Sequence, residues 1–400
     1  MRILKVVPEA FYTPRGTPLS AYHRARELVA RGHEVDILTY GVGEDPPELQ
    51  ARIIRSRGPH FTGVIRPGPS HLKIWFDCLL FLNLIARLCV RRYDLLYAHE
   101  EGALLAKIAG ALFRVPYVYD MHSSLPLQIT DWKFSRRRSV ISAFRWVERQ
   151  SVRGACAVVA ISPAVESAAR QACPTTRCVV IVNNFEVGSR PTPDDTAAVR
   201  ARYGIGADRK LVLYTGSFVA LQALDLLIAA IPKVVAAVAN TMFLLVGGAD
   251  AEIAELRNQA ERLGVSAHVM FERMLPQQSM PAYLAAADVL VSPRVQGINP
   301  PGKLLPYLAS GRPVVATNTL VHNQLLTERS AILTSPDAAG IADGLITALT
   351  DPQRVAQVAE GAEQLLAHYC SPSARDAAYA EVLAAAQDAS PHKRLQARQA

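Results

Sequence analysis

Apolar residues along the chain alternate between two textures. Short runs rich in β-branched and aromatic residues, Ile3–Val7, Glu34–Tyr40, Leu95–Ala98, Tyr117–Asp120, Ala157–Ile161 and Cys178–Val182, read as buried strands. Ile53–Arg55 is a further short candidate. Between them, apolar positions three and four apart in Leu19–Arg31, Ile74–Val90 and a stretch ending at Leu112 predict helices. Gly32 stands where the first helix needs a left-handed cap. The pattern lapses between Asn183 and Arg209, where Asn-Asn, Gly-Ser-Arg-Pro-Thr-Pro-Asp-Asp and Gly-Ile-Gly give turn and linker chemistry.

A second series follows. Strands are expected at Leu211–Thr215, Met242–Val246, Val269–Phe271, Val289–Ser292 and Val314–Thr317. Helices are expected at Ala223–Val238, Ala251–Leu263, Met280–Ala287 and Leu305–Ala309, then in Ala-rich sequence up to a basic tail from His392. Strands alternating with helices predict the α/β class with doubly wound parallel sheets. Four hundred residues exceed what one core serves, so two such domains are expected, with the boundary at the lapse. Ligands of open parallel sheets bind beyond the carboxyl ends of the strands, which directs attention to the loops after each strand.

Composition narrows the class. Ile74–Val90 is interrupted by Asp77, Asn83 and Arg87 and reads as a buried helix, not a membrane span. The six cysteines form no Cys-x-x-Cys pair, so neither a metal site nor a disulfide framework is expected. Residues 1–190 carry 26 Lys and Arg against 16 Asp and Glu, residues 191–400 only 17 against 19. The basic first half favours an acidic partner surface. Trp132-Lys-Phe-Ser-Arg-Arg-Arg138, continuing to Arg153 with Phe144 and Trp146, has two readings. It is either a contact to an anionic membrane or a solvated basic face that packs its aromatics inward. No nucleic-acid recognition motif accompanies the charge.

Gly297-Ile-Asn-Pro-Pro-Gly302-Lys303 satisfies the spacing of a nucleotide-hydrolase phosphate loop. Leu304 stands where such a loop needs a magnesium-binding hydroxyl, and Pro300 and Pro301 remove two N–H donors. What remains is a strand, a Gly/Asn turn and a helix start beside Lys303, a geometry that offers N–H groups and positive charge to a phosphate.

Val289-Leu-Val-Ser-Pro-Arg-Val-Gln-Gly-Ile-Asn-Pro-Pro-Gly-Lys-Leu-Leu-Pro-Tyr-Leu-Ala-Ser-Gly-Arg-Pro-Val-Val-Ala-Thr317 resembles the donor-site signature of GT-B glycosyltransferases of the family-4 type. Leu213-Tyr-Thr-Gly-Ser-Phe218, Leu244-Leu-Val-Gly-Gly248, Pro276 and Met280–Asp288 follow that family's order, as do Arg15-Gly-Thr-Pro-Leu-Ser20 and Arg31–Asp36 at the front. The resemblance implies two facing Rossmann-like domains. Residues 1–184, with a C-terminal helix at 373–400 returning to them, would form the acceptor side. Residues 185–372 would bind a nucleotide-diphosphate sugar. Transfer to a glycan or lipid-linked acceptor would retain the anomer and use no metal or other cofactor, in a cytoplasmic protein. The chain holds no Asp-x-Asp pair, which agrees with metal independence.

The implied donor residues are Gly16, Gly216, Ser217, Phe218, Gln222, Gly248, Arg294, Gly297, Asn299 and Lys303, with Met274 and Leu275 near the base. Two departures stand out. The family's Arg and Lys after the first glycine loop are here Ser217 and Gln222, leaving Arg294 and Lys303 as the nearest cations. The family's two glutamates, eight positions apart, fall on Ile298 and Pro306, neither of which offers a side-chain acceptor. His122, in Tyr119-Asp-Met-His-Ser-Ser124, would lie on the sugar side with Asp120 orienting it or serving as a buried hydrogen-bond partner. Glu101 would receive an acceptor proton or favour a helix N-terminus. A non-catalytic scaffold and a sugar-nucleotide epimerase are the alternatives that these departures leave open.

Overall fold

The alternating texture becomes two parallel sheets in the computed structural model, which describes residues 1–12, 16–46, 49–57, 71–127, 137–182, 191–297 and 300–390. Ile298, Asn299, Arg15, Trp132–Arg136 and the tail from His392 lie outside the described residues. The chain divides into two compact units, Met1–Asn183 with Pro372–Ala400, and Asn184–Ser371.

The first unit holds β1 (Arg2–Val7), β2 (Glu34–Thr39), β3 (Arg52–Arg55), β4 (Leu95–His99), β5 (Tyr117–Met121), β6 (Ala157–Ala160) and β7 (Cys178–Val180). They pair in parallel in the order β3-β2-β1-β4-β5-β6-β7. Central strands covered on both faces read as continuous apolar runs, and Ile3, Leu4, Val6, Val7, Leu95 and Leu96 are wholly buried. Lys5 and Asp120 sit equally buried in that sheet.

Around it lie α1 (Gly16–Ala30), α2 (His71–Val90), α3 (Gly102–Phe113), α4 (Arg138–Gly154) and α5 (Pro163–Ala172). Helix α2 inserts Phe76, Leu80, Leu84 and Leu88, four residues apart, into the core. Its opposite side corrects the reading of a buried helix: Leu72, Ile74, Trp75, Leu82 and Val90 are exposed, Val90 by 77%. Helix α3 comes close to the sheet because its inner positions are small: a Cβ on Gly102 would stand 3.1 Å from the Val6 carbonyl oxygen of β1.

The second unit holds β8 (Lys210–Thr215), β9 (Thr241–Gly248), β10 (Val269–Arg273), β11 (Val289–Ser292), β12 (Val314–Thr317) and β13 (Ile332–Thr334), paired in the order β10-β9-β8-β11-β12-β13. Helix α6 (Pro193–Arg202) corrects the reading of linker up to Arg209. Its Thr-Pro-Asp-Asp is a helix start: Thr192 caps the Asp195 N–H, Asp195 returns the bond, and Pro193 occupies the first turn. Helix α7 (Leu224–Ala237) buries Leu227, Ile228, Ile231 and Val234 in this unit's core. Helices α8 (Asp250–Arg262) and α9 (Met280–Ala286) follow, the short α10 (Leu304–Ala309) begins at the residue after Lys303, and α11 (Leu320–Asn323), α12 (Ala338–Thr350) and α13 (Pro352–Cys370) come after it. The sequence reading contained neither α5 nor β13.

The last helix, α14 (Pro372–Ala389), belongs to the first unit and buries Tyr379, Val382, Ala385 and Ala386 against β5, β6 and β7.

Candidate functional site

In parallel sheets all strand ends of one kind gather on one edge. In the first unit that edge brings together Glu9 after β1, His99–Glu101 at the end of β4 and Asp120–Ser124 at the end of β5. Asp120 has no exposure and lies within reach of four basic side chains. Its Oδ2 accepts from Lys5 Nζ at 3.3 Å and meets His99 Nδ1 at 3.2 Å. Its Oδ1 lies 3.5 Å from Arg24 Nε and 3.3 Å from His122 Nε2. The two imidazoles meet edge to face at 4.3 Å.

These contacts divide the protons. Burial opposes every charge in the cluster. For Asp120 the opposing charge of Lys5 and the contacts to His122 and His99 overcome it, and the carboxyl is held well below its usual range. For His99 burial is outweighed by Asp120 and by Glu9, whose Oε1 lies 3.3 Å from Nε2, and its pKa is pushed up to about 9. Burial and the charge of His99 push His122 down to about 4, and burial takes Lys5 down to about 8. At neutral pH, therefore, His99 is a cation and His122 a neutral imidazole. The donor atoms of His99, Asp120 and His122 lie within 4.8 Å of one another, a spacing that suits a metal ion. Lys5 and Arg24 already stand at both carboxylate oxygens, and their positive charges oppose a second cation there.

The carboxylates after β4 part company. Glu100 has φ 46° and is buried, and burial pushes its carboxyl up to about 8. Ser123 Oγ donates to it at 3.2 Å. Glu101 is the N-cap of α3 without a side-chain cap bond, and its carboxylate pairs with Lys73.

The second unit presents glycine turns at the ends of β8 and β9. Gly216 and Gly247 have φ 131° and 120°, a region glycine enters without strain. A Cβ on Gly247 would stand 2.4 Å from Gly216 O, and one on Gly248 2.3 Å from Phe218, so the two turns nest backbone on backbone. Over them lies Lys303: its Nζ would stand 3.1 Å from a Cβ on Gly216, covers the Tyr214 ring at 3.6 Å and donates to Gln222 Oε1 at 3.3 Å. Burial and the charge of Arg294 hold its ammonium well below the lysine range. Arg294 Nε donates to the Gln296 carbonyl at 2.7 Å within its own turn, and Nη2 fills the space beside Gly297, where φ is 120°.

The structure thus gathers Gly216, Phe218, Gln222, Gly248 and Lys303 at one strand edge, with Arg294 and Gly297 in the turn after β11. Ser217 is exposed, its carbonyl accepting from Tyr214 Oη at 2.8 Å. Met274, 75% exposed, and the partly buried Leu275 follow β10. Gly16 opens α1. Pro306 sits in the first turn of α10, where its missing N–H costs nothing.

Sequence reasoning passed over Lys5, Arg24, Glu9 and His322. The signal for Lys5 was a charge inside an apolar strand. His322 is fully buried, donates from Nδ1 to the Thr317 carbonyl at 2.9 Å and accepts from Ser292 Oγ at 2.9 Å, pinning the start of the Arg294 turn.

Two Rossmann-like parallel sheets, the second with glycine turns at its carboxyl edge, are the architecture of GT-B glycosyltransferases. Residues 14–185 match the model described as "Glycosyltransferase Family 4", and residues 209–351 that described as "Glycosyl transferases group 1". The chain belongs to the family-4 type of GT-B glycosyltransferases and is a transferase of the EC 2.4 class. It is 34% identical over 174 residues to a GDP-mannose-dependent α-(1-6)-phosphatidylinositol monomannoside mannosyltransferase of Mycolicibacterium smegmatis, spanning 42% of this chain and 45% of that protein. It is 26% identical over 375 residues to the phosphatidyl-myo-inositol mannosyltransferase of Mycobacterium tuberculosis, covering 90% and 91% of the two. An Anabaena protein crystallised with UDP (Alr3699/HepE) has the same fold, with TM-score 0.73 and 21% identity over 96% of this chain and 100% of that one.

Proposed function

We propose that the protein moves a hexose from a nucleotide-diphosphate sugar to a lipid-linked acceptor, with retention of the anomer and without a metal. The observation that carries this reading is Lys303 seated over the Gly216 turn. A leaving diphosphate needs cations or N–H donors where its charge develops, and Lys303 supplies the charge that Ser217 and Gln222 do not. Arg294 and Gly297 serve the diphosphate beside it, with Gly248 backing the Gly216 turn, while Gly16 and Asn299 rest on the family resemblance alone. Met274 and Leu275 lie toward the base. His122, held neutral by burial and by cationic His99, orients the transferred sugar as a hydrogen-bond donor or acceptor. Asp120 fixes it, and Glu101 lies on the acceptor side. The names of the mycobacterial relatives make GDP-mannose and phosphatidylinositol the first donor and acceptor to try.

The test is a panel of UDP-, GDP-, ADP- and TDP-sugars with EDTA present. Donor hydrolysis and acceptor-dependent transfer are expected from one member, and His122→Ala should lower turnover about 100-fold while leaving donor binding within about twofold. Epimerised donor without transfer, or turnover that requires a metal, would overturn the reading.

We also propose that the first unit rests on an anionic membrane. Helices α2, α3 and α4 pack side by side. Outward from them stand Trp75, Leu82, Ile108, Leu112 and Trp146, with Arg138, Arg145, Arg149 and Arg153 exposed along α4. Every charged side chain of α2 turns away from that face: Lys73 pairs with Glu101, Asp77 accepts from Tyr40, and Arg87 binds Asp36. Apolar residues bordered by arginines suit a charged bilayer surface. Sedimentation with phosphatidylcholine vesicles containing phosphatidylinositol should carry the protein down, less so in high salt. Leu82→Asp should weaken this about tenfold; equal binding by wild type and variant would sink the idea.

A further inference from the structure

We infer that Tyr379, on the C-terminal helix α14, is a positioning residue for His122, acting through Arg24 and Asp120. The inference rests on the sugar-side role proposed for His122. Its basis is the way Asp120 is shared. Each carboxylate oxygen faces one cation and one imidazole: Oδ2 takes Lys5 and His99, while Oδ1 takes Arg24 and His122. Arg24 is 4% exposed and Tyr379 1% exposed, so neither has water as an alternative partner.

The Arg24 guanidinium is held by hydrogen bonds at two edges and faces Asp120 with the third. Nε faces Asp120 Oδ1 at 3.5 Å, Nη2 donates to the Ile181 carbonyl, and Nη1 donates to Tyr379 Oη at 3.3 Å. A guanidinium fork has a rigid geometry, so holding two edges aims the third. Removing the Tyr379 hydroxyl leaves a buried charged donor without its acceptor, and such a group moves to find another. An Arg24 that turns to find one changes its distance to Asp120 Oδ1, and with it the field that His122 feels at the same oxygen. Helix α14 is thereby more than a strap: a helix encoded after the whole second unit supplies the hydroxyl that aims Arg24 in the first.

Tyr379→Phe tests this with little risk to folding, because the ring and its stacking under Arg31 at 4.2 Å remain. The control is Asp376→Asn, which removes the ion pair of Arg31 with α14 at a side chain 71% exposed and leaves Arg24 alone. In full-length protein labelled with 15N-histidine, Tyr379→Phe should change the ring-nitrogen shifts of His122 and move the titration of His99 by about half a pH unit or more. Turnover should fall roughly threefold to tenfold with donor KM unchanged. Asp376→Asn should leave the imidazole signals as in the wild type. Unmoved imidazoles in Tyr379→Phe, whatever its melting temperature, overturn the coupling, as does an equal shift in Asp376→Asn. A His122→Ala enzyme that turns over at the wild-type rate instead sinks the role of His122 and leaves the imidazole result standing, so the two failures are distinguishable.

Discussion

Asp120→Asn is expected to destabilise the protein by about 3–5 kcal/mol, among the largest effects of any isosteric substitution in the first unit. The side chain keeps its shape and loses its charge. Lys5, Arg24 and His99 then remain as buried cations around a neutral amide. Leaving charges without their counter-ion is costly because the low-polarity surroundings cannot replace it. Part of the cost is relieved by proton loss: His99, held up to about 9 chiefly against burial by Asp120 and Glu9, should fall below neutrality in the variant. Lys5, already down to about 8, should deprotonate as well. Arg24 has no such escape.

The pH dependence follows from the signs. His99 binds its proton more tightly folded than unfolded, so its contribution is complete below its ordinary 6.5 and is lost as pH rises toward 9. Lys5 has the opposite sign and adds stability as pH rises from 8 toward its ordinary 10.5. Asp120, with its folded pKa depressed, contributes above the ordinary carboxylate range and loses that contribution as pH falls through its folded value. Wild-type stability should therefore decline from about pH 6.5 to 8, through His99 and through the raised carboxyl of Glu100, and rise again above about pH 9 through Lys5, and Asp120→Asn should show a shallower decline because the His99 part is lost. Urea denaturation across that range measures both. A variant within about 1 kcal/mol of wild type at neutral pH would refute the account of the cluster.

What the sequence disclosed and what it hid follow a physical division. Elements that bury continuous apolar runs were legible: β11 and β12 have the bounds expected, because their residues are buried on both faces and nothing else competes for them. Glycine turns were legible as well, since Gly216 and Gly247 adopt backbone angles that other residues avoid. Helix α6 was hidden because Thr, Pro and Asp serve both turns and helix starts, and only the reciprocal bonds of Thr192 and Asp195 distinguish the two. The outward apolar side of α2 was hidden for another reason. Periodicity shows that a helix has an apolar face, but α2 has two, one in the core and one exposed, and composition alone reads that as burial. The Asp120 cluster was half legible. His122 and Asp120 lie two residues apart, whereas Lys5, Arg24 and Tyr379 arrive from β1, α1 and α14, and no local pattern joins positions so distant in the chain.

Lys303→Met is expected to weaken nucleoside-diphosphate binding about 100-fold, the effect of losing one charge-assisted contact in a site without a second lysine at the glycine loop. Methionine keeps the length and offers its thioether end to the Tyr214 ring that Lys303 Nζ now covers. The loss should therefore be one of charge, with little change in folding. In the unliganded protein burial and the nearby Arg294 disfavour the ammonium, while a diphosphate beside it restores the charged form. Binding must then take up protons, and affinity must fall as pH rises through the interval between the free and bound pKa values of Lys303. Calorimetry with UDP and GDP in buffers of different ionisation enthalpy reads both quantities directly. In Lys303→Met the proton uptake should vanish along with the pH dependence. Gln222→Lys in the same background places an ammonium where Lys303 Nζ now meets the Gln222 amide, at 3.3 Å, and should restore roughly tenfold of the lost affinity. If Lys303→Met binds nucleotide as the wild type does, the diphosphate lies elsewhere than over the Gly216 turn, and the donor site has to be sought around Arg294 alone.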